Sequence, residues 1–485
     1  MSISFLTTTQ ISGLSTTTVQ NLTATEIRAM SSSQVNAITS AGIAVLNQTQ
    51  VSTLNSTQLR GMSTSQISAI RSNVALDVNQ LLALNNQQVG ALTTTQLDNL
   101  ESSRLAAMTA TQIGGLTETQ FASLESTQLG ALTAVQMGAV NSTQLNTLTT
   151  TQIGRLTSTQ ARSVAATELS GLSSANLLAL STTAIGGLTS TQLRGLTNDQ
   201  FSALNTTAVS GLTSGQIGGL TSTQIGQLGS TNFNALTSTQ AQGLTATQMG
   251  GLTGTQAGAL TTTDVLELSA TQLSGIASSQ LNELTTTALG AINSTQVRGL
   301  TATQIGGLST DKLNALSTTA INNLSTSQVR ALGTAQIEGL TTTAVGALST
   351  TQVGALAASQ IGALTTTNFN RLSTDQVRAL SASQAAAITT TQIEALTTTD
   401  IGDFGTTQIA GLSGAQLGQL STTNLNALNT DQTRAIGSTQ IASLTETQLS
   451  SLRTTDVQDL TSTQIGRLTS TQIGQLGSTN FNALT

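Results

Sequence analysis

Three pairs of carboxylates stand three residues apart at matching places in this 485-residue chain. TTDVLEL carries Asp264 and Glu267, TTDIGDF carries Asp400 and Asp403, and TTDVQDL carries Asp456 and Asp459. On a helix, residues i and i+3 share a face, so each pair could offer oxygens to Ca²⁺. Calcium takes about six to eight oxygen ligands, so two carboxylates form at best part of a site. The competing reading is that Asp replaces a helix-start residue next to a variable position that happens to be acidic. No metal site is expected beyond these candidates, and no cofactor.

Other chemistry lacks its residues. The chain has no His, Cys, Tyr, Trp or Pro, and its one lysine is Lys312. The usual general bases, activated nucleophiles and metal ligands are therefore mostly absent. Ser and Thr abound, but an unactivated hydroxyl is a cap or a surface group. The glycines form no phosphate-binding loop after a strand pattern. No enzyme activity is expected, and no small-molecule ligand.

Charged residues make up 7% of the chain and the net charge is −6, too little for this length to suggest a nucleic-acid or anionic-membrane partner. Hydrophobic residues are 37%, nearly all Leu, Ile, Val and Ala. No apolar run approaches the ~18–20 residues of a membrane span, so no membrane insertion is expected. The opening MSISFLTTTQ has no basic or apolar region of a secretory signal.

The elements that must position any site are repeats. From Leu212 the chain reads LTSGQIGG, LTSTQIGQ, LGSTNFNA, LTSTQAQG, LTATQMGG, LTGTQAGA. Position 1 is Leu or another apolar residue, position 2 Thr or Ser, position 4 mostly Thr, position 5 usually Gln, and position 6 aliphatic. Positions 7 and 8 vary, with many Gly and Ala. From Leu76 to Leu484 the register never breaks over 51 units, and 8 more run from Leu6 to Ile70. The one slip is the six-residue IRSNVA, Ile70 to Ala75. Duplication contributed, since LTSTQIGQLGSTNFNALT stands at both 220–237 and 468–485. Most units have diverged further and still keep phase, as expected where each occupies one fixed step of a structure.

Eight residues do not fit a long helix, where each unit would drift by ~80°, nor a plain strand, which would put Thr beside Ile on one face. They fit a helix start. Thr at position 2 is an N-cap, Gln at position 5 completes the capping box, and positions 1 and 6 make the hydrophobic staple. LTTTQI at 148–153, LTETQF at 116–121 and LTATEI at 22–27 show all of these together. Eleven of the 15 basic residues sit at positions 7 or 8, among them Arg28, Arg60, Arg194, Arg298 and Arg378, where a helix C-terminus favours cations. The acids give no such support: 14 of 21 lie at positions 2 to 5. Ala is at least as frequent as Gly at position 8, so a left-handed C-cap is not required in every unit.

Helices this short need neighbours. The expected fold is an all-α repeat solenoid, one capped helix per octad, with positions 1 and 6 lining a narrow core. The rival is a β-solenoid with one or two octads per coil. The expected organisation is a possible N-terminal cap at 1–5, octads over 6–69, the slip at 70–75, and octads over 76–485. The octads are expected to continue or to stack end to end. No 16- or 24-residue super-period is visible.

The units resemble the Leu-Thr-x-x-Gln octapeptide arrays of very large bacterial secreted or surface proteins of adhesin-like type. The resemblance covers nearly the whole chain and transfers no functional residue. It implies an extracellular or cell-surface structural role. Physical reasoning adds that an uncapped solenoid exposes its core at the ends, so the expected partner is the chain itself, end to end or side by side. The expected function is a structural element of an extracellular filament, sheath or adhesin stalk, whose exposed hydroxyls could carry sugars. One alternative is an ice-binding or ice-nucleating surface, which needs Thr-x-Thr on a flat β face. The other is a repeat scaffold for protein partners.

Overall fold

The computed structural model describes residues 3–484. Every octad forms one α-helix of four to six residues, from Thr8–Ser12 to Gly477–Phe481. Among the described residues there is no strand, so the β-solenoid is excluded.

The octad Met108–Gly115 shows why the helix begins and ends where it does. Thr109 is extended, and its hydroxyl accepts from the Gln112 amide at 3.2 Å. Gln112 Oε1 accepts in return from the Thr109 N–H at 3.0 Å, closing the capping box. The Ile113 N–H bonds the Thr109 carbonyl at 3.1 Å, one α-helical turn. The Leu116 N–H then closes onto the Ile113 carbonyl at 3.2 Å, a tighter 3₁₀ bond. The helix stops because positions 1 and 2 are both extended, which turns the chain into the next side. No C-cap glycine is left-handed; among the described residues only Gly229 and Gly477 have positive φ, and both begin helices.

Within each unit a helix packs on the one three further along the chain, as Ser158–Ser163 does on Thr182–Gly187, or two further along across the slip, as Ser56–Gly61 does on Val78–Ala83. Three octads therefore make one coil of 24 residues. The Leu positions do not reveal this period, because all three sides use the same pattern. The chain divides into two compact units, Met1–Leu244 and Thr245–Thr485, and both are built in this way.

The core runs inside the coils. Position 6 is the most deeply buried, with Val35, Leu59, Ile113, Ile217, Val297 and Ile409 at 0% exposure, while the position-1 leucines line the corners. Small residues at positions 7 and 8 let coils approach. A side chain at Gly218 would meet the Gly243 carbonyl at 2.5 Å, and one at Gly171 would meet Ser142 at 2.6 Å.

The slip replaces one helix by a turn. Ile70, Val74 and Leu76 are buried, so IRSNVA still supplies two apolar anchors in six residues. Long side chains from other coils tie down its backbone. Gln48 both donates to the Ala75 carbonyl and accepts from its N–H, each at 2.8 Å. Asn99 donates to the Ser72 carbonyl at 3.0 Å, and Arg71 reaches back to the Ala44 carbonyl. Beside the turn lies a partly open cavity of about 20 Å³ lined by Ile70, Val74, Leu76, Leu81 and Leu92.

At the N-terminal segment, Met1 and Ser2 lie outside the described residues, and Ile3–Phe5 form a 3₁₀ turn with Ile3 buried and Phe5 exposed. This turn acts as the end of an octad, since Gln34 of the next coil donates to the Ser4 and Leu6 carbonyls at 3.0 and 2.7 Å. Thr485 also lies outside the described residues.

Candidate functional site

The side chain that joins the coils is the position-5 glutamine. Gln112 is 3% exposed. Its Oε1 closes its own capping box, and its Nε2 donates to the Leu81 and Leu84 carbonyls at 2.7 and 2.8 Å. Those carbonyls lie 31 and 28 residues earlier, at positions 6 and 1 of the coil beneath. The same pair of bonds recurs at Gln120, Gln160, Gln200, Gln296, Gln328 and Gln448. Across the slip the offsets shrink by the two missing residues: Gln80 reaches Val51 and Leu54, 29 and 26 back. Within each unit, backbone–backbone hydrogen bonds among the described residues are local. Side chains therefore carry the coil-to-coil hydrogen bonds, most of them from glutamine amides, which donate to buried carbonyls of the coil beneath.

Variants at position 5 separate the two roles. Asn is one methylene shorter and keeps only the downward bond, as in Asn368 to the Leu340 carbonyl and Asn424 to the Leu396 carbonyl, both at 2.7 Å. Lys312 and Arg104 also donate downward, to the Leu284 and Leu76 carbonyls. Glu26, Asp264, Asp400 and Asp456 keep only the box, since an ionised carboxylate has no proton to donate. Glu26 accepts from the Thr23 N–H at 2.7 Å and Oγ1 at 2.8 Å, and these bonds hold its carboxyl below the ordinary carboxylate range, the backbone bond contributing most. Glu168 instead accepts from the Ser142 N–H in the coil beneath at 2.6 Å.

Position 7 bonds upward. Arg194, Arg330 and Arg378 donate to the Gly219, Ala355 and Asp403 carbonyls, each 25 residues on. These cations do meet helix-end carbonyls, but those of the next coil and not of their own helix.

The candidate calcium carboxylates are engaged within the fold. Asp264 and Asp400 each accept from an N-cap N–H and hydroxyl, on Thr261 and Thr397, at 2.7 Å. Asp403 accepts from Thr374 Oγ1 at 2.8 Å. Asp456 is buried and bonds Arg453 through Nε at 2.9 Å and Nη2 at 2.5 Å, while Asp459 pairs with Arg434 at 3.7 Å. Glu267 ends the helix Thr262–Glu267. Among the described residues no three metal-binding side chains gather.

The downward bond is the functional feature that the capping-box reading of the sequence misses. Its signal was present: position 5 holds 40 Gln in 59 octads but only two Glu, Glu26 and Glu168. A capping box accepts either residue, so the bias demands a donor.

The chain is thus an all-α solenoid of capped octads. In particular, it is similar to the ALTTAQ repeat, whose family model matches residues 169–206, 195–230, 309–342, 368–398, 393–430 and 409–446. That motif spans positions 8 to 5, the corner and helix start, as ALTTTQ does at 91–96. No curated protein matches the chain. One solved structure, described as "Structure of APUM23-GGAAUUGACGG", aligns over 99% of this chain and 90% of its own at 11% identity and a TM-score of 0.16. That likeness supports no argument about fold or function.

Proposed function

We propose that the chain is a non-enzymatic structural element of an extracellular filament, sheath or adhesin stalk that associates with copies of itself. The observation that carries this reading is the glutamine ladder. The strongest polar groups of the repeat are spent on joining one coil to the next, which suits a protein whose product is its own length. The exposed positions 3 and 4 present small hydroxyls and little charge, so nothing there holds copies apart by repulsion or marks a nucleic-acid surface. No helix among the described residues is long and apolar enough to cross a membrane.

The ice-binding alternative required threonines on a flat β face. Here the position-2 threonines accept hydrogen bonds as N-caps, which removes that arrangement. Immunogold electron microscopy of cells producing the protein tests the structural reading. Label along surface fibres or sheaths is the expected result, and label confined to the cell interior would favour the scaffold alternative.

A further inference from the structure

Near-identical octads create a problem of register. If one octad is drawn out of a coil, the later coils can re-form one octad out of phase, with positions 1 and 6 repacked on equivalent partners. We propose that asparagines at position 7 act as register locks by recognising octads that lack a box-closing residue at position 5.

Asn314 shows the geometry. Its Nδ2 donates to the Gly339 carbonyl at 2.8 Å, and its Oδ1 accepts from the Thr341 N–H at 3.0 Å. Thr341 is an N-cap, and its N–H is available because position 5 of its octad is Ala344, which cannot close a box. Asn282 makes the same pair with Gly307 and Ser309, both at 2.8 Å, beneath Lys312. Asn146 makes it with Gly171 and Ser173, both at 2.9 Å, beneath Asn176.

The converse also holds. Asn370 and Asn426 keep the Nδ2 bond, at 2.9 Å to the Ala395 and Ser451 carbonyls. The N–H groups they would need, on Thr397 and Arg453, are taken by Asp400 and Asp456. The Oδ1 atoms of both asparagines are buried without a partner. At these two sites the closed box above strands a buried oxygen, which is costly. Seven position-7 asparagines, Asn36, Asn146, Asn282, Asn314, Asn322, Asn370 and Asn426, lie beneath a further octad of the same unit. Asn146, Asn282 and Asn314 lie beneath open boxes and make both bonds; the other four lie beneath boxes closed by Gln66, Gln352, Asp400 and Asp456, so the lock belongs to the first three.

Asn314 discriminates in both directions. One octad either way would put it beneath Gln336 or Gln352, whose boxes are closed on Gly333 and Ser349 at 2.7 and 2.6 Å. Only the native register offers Ala344. A single buried polar residue that sets register at small energetic cost is an established device in coiled coils.

The test uses the full chain, which has no cysteine of its own. An ideal Cβ at Gly339 lies 3.4 Å from the Thr310 Cβ, close to disulfide range, and the methyl it would meet first, on Thr310, is lost in Thr310→Cys. Thr310→Cys is paired with Gly339→Cys for the native register, or with Ala331→Cys or Ala347→Cys for coils of two or four octads. After denaturation, refolding and oxidation, the parent should form the 310–339 bridge. Asn314→Ala should raise the out-of-register bridges about fivefold, the factor that one net hydrogen bond provides. Asn322→Ala is the control. It removes an equivalent Nδ2 bond, to the Ala347 carbonyl at 3.1 Å, but no N–H recognition, and should leave the bridge pattern unchanged. Equal effects of the two substitutions, or none from Asn314→Ala, would overturn the lock.

Discussion

Gln112 Nε2 donates to the Leu84 carbonyl at 2.8 Å while the Oε1 of the same amide accepts from the Thr109 N–H at 3.0 Å. One side chain thus starts its own helix and satisfies the end of the helix a coil away. Gln112→Glu should keep the first bond and lose the second, leaving the Leu81 and Leu84 carbonyls facing a carboxylate. The expected cost is at least about 2–3 kcal/mol. Gln112→Asn should cost less, as the natural Asn368 indicates. Hydrogen-exchange mass spectrometry across 77–116 and thermal unfolding would check the order Gln > Asn > Glu; a harmless Glu would refute the ladder.

Much of this architecture was legible in the residues. Thr109, Gln112 and the pair Met108 and Ile113 announce cap, box and staple, and the unbroken spacing announces that each octad takes one step. The number of steps per coil was hidden. It follows from the corner made by two extended residues at positions 1 and 2, and no side-chain pattern differs among the three sides. The downward amide bond was half legible: the preference for Gln over Glu at position 5 points to a donor, but its acceptors are main-chain carbonyls, which carry no sequence signal.

The two LGSTNF octads should respond to repair of their helix starts. Gly229 and Gly477 have φ of 69° and 72°. Neither octad has a side chain at position 2 to cap the helix, and Asn232 and Asn480 reach down to the Leu204 and Leu452 carbonyls. At Gly405 and Gly333 the box-closing Gln408 and Gln336 keep the backbone extended. Gly229→Ala should cost about 1–2 kcal/mol, and Gly333→Ala should be neutral or stabilising by about 0.4–1 kcal/mol. Asn232→Gln should restore the box and abolish most of the Gly229→Ala penalty. A double-mutant cycle measures that coupling, and additive effects would show that the missing box is not the cause.

The slip should depend on its stitches more than on its own residues. Gln48→Ala removes both bonds to Ala75 and should expose the segment 70–76 to trypsin at Arg71. Ser52→Ala, which loses only a local bond to the Thr49 carbonyl, should not. Cleavage mapping by mass spectrometry decides, and equal protection of both variants would mean that burial of Val74 and Leu76 suffices.

Glu26 should give the helix Ala24–Ala29 a pH dependence. Its carboxyl is held below the ordinary range by the Thr23 N–H and hydroxyl. A depressed carboxyl contributes stability fully above its unfolded value and loses it as pH falls through the folded value. Protection of the Thr23 amide, corrected for intrinsic exchange, should therefore be level near neutrality and fall in the acid range below the ordinary carboxylate value. Glu26→Gln should flatten that profile, and an unchanged profile would place the titration elsewhere.

Calcium should leave the protein unchanged. The hydroxyl and N–H of Thr397 already hold Asp400, Thr374 holds Asp403, Arg453 holds Asp456, and Arg434 pairs with Asp459. An ion would have to displace these partners and still find several further oxygens. Binding to the native state alone would raise stability by an amount that grows with the logarithm of ligand concentration. Unfolding midpoints in millimolar CaCl₂ and in EDTA should therefore coincide. A concentration-dependent rise that vanishes in Asp400→Asn/Asp403→Asn would instead establish a site there, built by rearrangement of the Thr397 cap.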